Sequence, residues 1–266
     1  MPLKKLQLKA GINRENTRYT SEGGWYDCDK IRFRQGTPEK IGGWQRISAT
    51  TFLGVCRSLW NWVTLGSQNL IGVGTNLKFY IENGGAYNDI TPLRATVTLT
   101  NPFETTNGSP IVEVTDANGG YSDGDFVTFS GASAVGGLTL NAEYQLTETT
   151  TANVYTIDAG TNASSSATGG GTVTTAYQIN IGPAFVVPLV GWGASSWGSG
   201  TWGIGATSTD SIRLWSQANF GEDLIFGPRD GSIYRWDATN GLTTRAVVLT
   251  GTEVPTSQKL ILVSDI

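Results

Sequence analysis

Chemistry in this chain has few places to start. Its 266 residues include no histidine. No Ser-His-Asp or Cys-His relay can be assembled, and no imidazole is offered to a metal. The two cysteines, Cys28 and Cys56, lack metal-ligand spacing. A bridge between them and a pair of reduced, packed thiols are both open readings. Asp27 and Asp29 lie two apart and on a strand would share a face, but nothing near them builds the pocket that acid–base work needs. Lys30, Arg32 and Arg34 alternate with Ile31 and Phe33. Such a basic face can meet phosphates or an acidic partner at an assembly interface, or pair internally with Asp27, Asp29 and Glu39. The run from Asp116 to Asp125 superficially resembles a calcium loop. The helix-loop-helix form needs Glu at its twelfth position, where Val127 stands, and Asp and Asn serve turns equally well. Trp192, Trp197 and Trp202 punctuate a glycine-rich stretch. They suit a sugar-stacking platform or a loop tucked over a sheet, since exposed Trp clusters are rare. No phosphate-binding glycine loop and no cofactor motif is present. The expectation is a protein that is not an enzyme, with no metal and no cofactor.

The elements that would position these residues are short. There are 35 glycines and a net charge of −4. Apolar runs of four to eight residues end in Gly, Asn, Asp or Pro, the pattern of many short strands joined by tight turns. No basic surplus exists to grip nucleic acid. The N-terminus alternates apolar and polar residues and lacks the continuous apolar stretch of a signal peptide. No segment approaches a membrane span. The chain is expected to be soluble, without membrane contact, and made in a cytoplasm.

Two windows repeat. Ser58 to Tyr80 and Arg213 to Tyr234 each read as a Trp-bearing strand, a turn, a Leu-Ile strand, a tight turn and an aromatic strand. Leu59-Trp60 aligns with Leu214-Trp215, and Leu70-Ile71 with Leu224-Ile225. Trp60 and Trp215 are thus expected to be equivalent core anchors. Asp230-Gly231 predicts a hairpin turn with both residues at positive φ. Polar fourth strands follow near Ala86 and Leu242. Four antiparallel strands with this pattern describe a propeller blade. Residues 96–178 differ, being rich in Thr, Gly, Ser and Ala with period-two alternation. The fold class expected is all-β: a partial or incomplete β-propeller with an inserted small β-barrel or sandwich. The organisation expected is an extended arm at 1–44, a first blade at 45–95, the insert at 96–178, and a further blade region at 179–266. Gln258 to Ser264 reads as a strand of yet another blade. Since a propeller closes with at least four, either a longer protein or other chains would complete the sheet.

The stretch from Lys9 to Trp44, ending in Gly-Gly-Trp, resembles the start of tail proteins of short-tailed bacteriophages. Leu70 to Tyr80, Asn219 to Ile225 and the Gly124-Asp-Phe-Val-Thr-Phe-Ser-Gly131 module extend that likeness. The family is the tail nozzle, or tail tubular protein B type, related in role to packaged-DNA stabilisation proteins. The resemblance implies a virion component that forms a six-fold homo-oligomeric ring. Its implied neighbours are portal adaptor and tail-fibre proteins, and double-stranded DNA passing without sequence recognition. It transfers no catalytic residues. The chain is shorter than nozzle subunits usually are, which points to a partial chain. An adhesin-like, carbohydrate-binding tail-fibre module using the three tryptophans is the alternative.

Overall fold

The computed structural model describes residues 9–15, 17–20, 22–43, 45–46, 48–117, 121–182, 212 and 214–264. The chain divides into a small unit up to residue 49 and a large one from residue 50 onward.

In the small unit, β1 (Ile31–Arg34) and β2 (Thr37–Lys40) form a hairpin. Gln35 and Gly36 at its tip have φ of 50° and 81°. Positive φ at both central residues gives the turn whose twist matches the strands. A parallel bridge joins Ile12 to Trp25, and the Trp25 ring meets Phe33 edge-on at 6.2 Å.

The large unit is all-β. Among its described residues no α-helix occurs, and only a 3₁₀ turn at Ala238–Asn240 interrupts the strands. The first sheet is a meander of β3 (Cys56–Val63), β4 (Asn69–Thr75), β5 (Phe79–Asn83) and β6 (Ala86–Asp89). The eight-stranded sheet is built from β7 (Leu93–Thr100), β8 (Phe103–Thr105), β9 (Ile111–Thr115), β10 (Phe126–Ser130), β11 (Glu143–Thr151), β12 (Val154–Asp158), β13 (Ala167–Gly169) and β14 (Thr172–Gln178). Its order is β13-β8-β9-β12-β11-β10-β14-β7, so both edges stay open and no barrel closes. Two register shifts in β11 mark where that sheet bends. A second meander follows: β15 (Trp215–Phe220), β16 (Asp223–Pro228), β17 (Tyr234–Trp236) and β18 (Val247–Val248).

The two meanders stack face to face, as adjacent blades do in a partial propeller. Leu70, Phe79 and Ile81 of the first meet Trp215, Leu224, Phe226 and Trp236 of the second in one buried cluster. Phe79 stacks on Phe226 at 4.1 Å and meets Trp215 edge-on at 4.9 Å. Aromatic contacts of this kind add about 0.5–1.5 kcal/mol each beyond burial. The close approach depends on glycine: a Cβ at Gly74 would strike the Trp215 ring, and one at Gly72 would strike Gln217. The eight-stranded sheet has its own core around Phe103, Val127, Tyr155 and Tyr177. The chain enters and leaves it at neighbouring points, since Ile179 N–H donates to the Pro92 carbonyl at 3.1 Å. That closeness is what an insertion into a loop requires.

Three expectations change. Trp60 and Trp215 are not equivalent. Trp60 pairs across the ladder with Gly72, whereas Trp215 pairs with Pro228, one pleat period further from the buried Leu70 and Leu224. Trp60 is 38% exposed, and the buried tryptophan of β3 is Trp62, at 6%. The loop from Thr64 to Gln68 is longer than the Gly221-Glu222 turn, which shifts the offset that a linear alignment preserves. At Asp230-Gly231 only Asp230 takes positive φ, 62°. Gly231 is there because a Cβ would meet Pro228. Residues 259–264 form no strand.

Candidate functional site

Charged side chains from all three sheets of the large unit converge at one junction. Lys78 follows the β4–β5 turn, which Thr75 ties down: Lys78 N–H donates to Thr75 Oγ1 at 2.9 Å, and Thr75 N–H to the Lys78 carbonyl at 2.8 Å. The side chain is thereby aimed inward and is only 3% exposed. Its ammonium pairs with Asp89, at the end of β6, at 2.7 Å and with Glu143, at the start of β11. It also lies 4.7 Å from the centre of the Phe126 ring. Arg245, entering β18, reaches the same two carboxylates at 3.3 and 3.2 Å and donates to the Thr91 carbonyl at 2.7 Å. Gln178 Nε2 donates to Glu143 Oε2 at 2.7 Å, and Thr91 Oγ1 to Asp89 Oδ1 at 2.6 Å.

Two cations face two anions, so the cluster is neutral as a whole. Burial alone would raise the Asp89 carboxyl; Arg245 and Lys78 outweigh it and hold the group below its ordinary value. Such a carboxyl is a poor proton donor near neutral pH. The arrangement acts as a joint between the insert and both stacked sheets. Beside it Arg94 donates to the Gln178 carbonyl at 3.1 Å and pairs with Asp125 at 3.4 Å, its guanidinium 5.0 Å from the Tyr177 ring centre. Burial pushes the Asp125 carboxyl up despite the Ser122 N–H and Arg94 contacts that work against it.

The described carboxylates of the Asp116–Asp125 run do not gather at one point. Asp116 is buried and accepts from the Tyr177 hydroxyl at 2.6 Å, and Tyr177 in turn meets the Tyr155 hydroxyl at 2.9 Å. Asp125 turns to Arg94. Among the described residues, no group of three or more Cys, Asp or Glu side chains is placed to hold a metal.

In the small unit Arg32 pairs with Glu39, its cross-strand neighbour, at 3.1 Å, and Lys30 lies 3.9 Å from Asp29. Asp27 pairs with Arg14 at 2.5 Å. Lys30 has φ of 56° and precedes the strand, so it does not continue the face of Arg32 and Arg34. Asp27 and Asp29 likewise lie before β1 and do not form a strand pair. Arg34 is exposed opposite Thr37. Cys28 and Cys56 are free thiols, half-buried. Trp192, Trp197 and Trp202 lie outside the described residues.

Sequence reasoning missed the junction. Lys78, Asp89, Glu143 and Arg245 are scattered along the chain with no motif spacing. The available signal was Lys78 itself, a lone charge inside the apolar run Leu77-Lys-Phe-Tyr-Ile81.

No family model and no curated protein matches this chain. Among solved structures, phage phi92 endosialidase overlaps 79% of this chain at a TM-score of 0.30 and 12% identity. The chain spans 32% of that protein's length. A likeness at that level carries no argument about fold or activity.

Proposed function

We propose that this chain is a non-catalytic structural component of a short-tailed phage tail, of the nozzle kind, assembling as a ring around the DNA exit channel and docking fibres. One observation carries this reading. The two windows that resemble nozzle proteins, around Leu70–Tyr80 and Asn219–Ile225, lie in the two stacked meanders, with a separate β module inserted between them in the chain. Two features add support. The carboxylates Asp89 and Glu143 are both occupied by cations, which suits a rigid joint better than proton transfer. The net charge of −4 suits a channel wall that DNA slides past without sticking.

The test is electron microscopy of the purified chain with and without a portal–adaptor assembly, alongside immunogold labelling of virions. A ring of defined symmetry and label at the tail are expected. A monomer that binds an immobilised glycan and labels only fibres would sink the nozzle reading in favour of the adhesin.

A further inference from the structure

The junction sets a primary amine against two carboxylates out of water. Lys78 is buried, and its ammonium lies over the Phe126 ring, 4.7 Å from the centre. Burial disfavours the charged forms of an amine and of a carboxylic acid alike, so a proton passes more readily from one to the other here than in water. A desolvated lysine amine is a nucleophile. The oxygens around it have separate partners. Glu143 Oε1 is the atom that Lys78 Nζ touches. Glu143 Oε2 accepts from two donors, Gln178 Nε2 at 2.7 Å and Arg245 Nη2 at 3.2 Å. Asp89 Oδ2 accepts from the same Nζ at 2.7 Å, and its Oδ1 is tied by the Thr91 hydroxyl at 2.6 Å and the Thr91 N–H at 2.9 Å. Glu143 therefore offers a carbon beside the amine, with its far oxygen held by two donors, the arrangement that stabilises a tetrahedral oxyanion. Asp89 is held in the ionised form, which accepts protons and resists attack.

We propose that Lys78 and Glu143 join in an amide, a covalent staple between the β4–β5 turn and the start of β11, formed by the folded chain without a co-reactant. The ion-paired state is its precursor. Lys78 passes a proton to Glu143 Oε1, which leaves a neutral amine against a neutral acid. The Nζ lone pair then attacks Cδ. Because Nζ touches an oxygen bonded to that carbon, the two stand near the separation of a near-attack pair, about 3–3.5 Å. The carbonyl electrons move onto Oε2, where Gln178 and Arg245 receive the charge. Asp89 accepts the proton that Nζ sheds and hands it to Oε1, which leaves as water through the partly exposed side of Glu143. The Nζ–Cδ bond forms, one C–O bond breaks, and nothing is oxidised or reduced. Arg245 and Asp89 remain, one cation against one anion at 3.3 Å, so the junction stays neutral. Condensation of free amines with carboxylates is unfavourable in water, but holding the two groups in place is worth effective molarities of about 10⁵–10⁸ M. The product also removes two charges from a desolvated site. The bond belongs to the chain itself and stands apart from the nozzle reading.

The test is intact-mass spectrometry of the denatured full chain, freshly purified and after days at neutral pH, with peptide mapping. A species one water lighter than the sequence should be present and should grow with time. Its digest should yield a branched peptide joining Lys78 to Glu143. Lys78→Arg keeps the positive charge and removes the primary amine; it should fold, by circular dichroism, and hold the full sequence mass. Asp89→Asn should fold and slow the growth of the light species by at least about a hundredfold, the effect of losing a positioned proton carrier. A parent that stays at full mass overturns the proposal, as does a mass deficit that survives in Lys78→Arg or a branch that maps to another carboxyl. Asp89→Asn converting at the parent's rate overturns the route. The parent's mass and branched peptide decide the question even where a variant does not fold.

Discussion

Lys78→Met is the most direct probe of the junction. The substitution keeps most of the buried aliphatic stem but removes the charge that lies over the Phe126 ring and between Asp89 and Glu143. Removing one partner of a buried pair costs about 3–5 kcal/mol. Here Arg245 stays within 3.3 Å of both carboxylates, and those side chains are partly exposed, so the expected loss is about 2–3 kcal/mol. At a urea slope of about 2–3 kcal/mol/M the midpoint should fall by about 1 M. Glu143→Gln made in the same background removes the surplus anion. The double variant should therefore be less destabilised than the sum of the singles, with a coupling of about 1–3 kcal/mol. The pH profile carries an independent sign. Against the pull of burial, Arg245 and Lys78 hold Asp89 below its ordinary value. Its contribution is thus present above the unfolded value of about 3.9 and is lost as pH falls through the folded one. Lys78→Met should flatten that acid limb. A midpoint unchanged within error, or strictly additive singles, would refute the view that this cluster holds the three sheets together.

Two further outcomes follow from the same structure. Burial raises the Tyr155 and Tyr177 hydroxyls beyond the ordinary tyrosine range, with their mutual contact and Asp116 adding to Tyr177, and burial pushes Tyr80 up to about 12. Raised groups hold their protons in the folded state, so stability should decline as pH climbs past about 10; absorbance at about 295 nm should show fewer than the nine tyrosines ionising before unfolding, and all nine titrating in the folded protein would contradict the buried network. In the small unit, Arg32→Glu/Arg34→Glu sets a second carboxylate directly opposite Glu39 on an exposed hairpin, a local cost of about 1 kcal/mol or less; under the proposed ring reading, assembly should weaken while the circular dichroism and melting of the large unit stay unchanged, and normal assembly at physiological salt would leave Arg32 only its internal pairing with Glu39.

Much of the strand pattern was legible because it rests on period two and on punctuation. Ile111–Thr115 stands where alternation and flanking Ser-Pro and Asp predicted it. Alternation reports which face is buried but not against what. It therefore missed β7, whose Leu93–Thr100 run of threonines between apolar residues is an open edge, and the three-residue strands β8 and β13, too short for any periodicity. The tryptophans show a deeper limit. A linear match of Leu-Trp to Leu-Trp ignores loop length, and the ladder counts from the turn. Trp62, paired with Leu70, became the anchor that Trp60 was expected to be.

The junction was illegible for a related reason. Its four charges come from a turn, a strand end, the start of an inserted strand and the approach to another, and only the return of the chain at Pro92 and Ile179 brings them together. A buried lysine carries a large desolvation cost unless partners surround it. Lys78 inside an apolar run therefore demanded acids from elsewhere in the chain, and the structure supplies one from its own sheet and one from the insert. A partner drawn from the insert ties the orientation of that module to the stack. Cutting out residues 93–178 and joining the ends would remove Glu143 and Gln178 while leaving Lys78 and Arg245 against Asp89 alone. The stacked meanders are thus not energetically independent of the insert, even though each part has a hydrophobic core of its own.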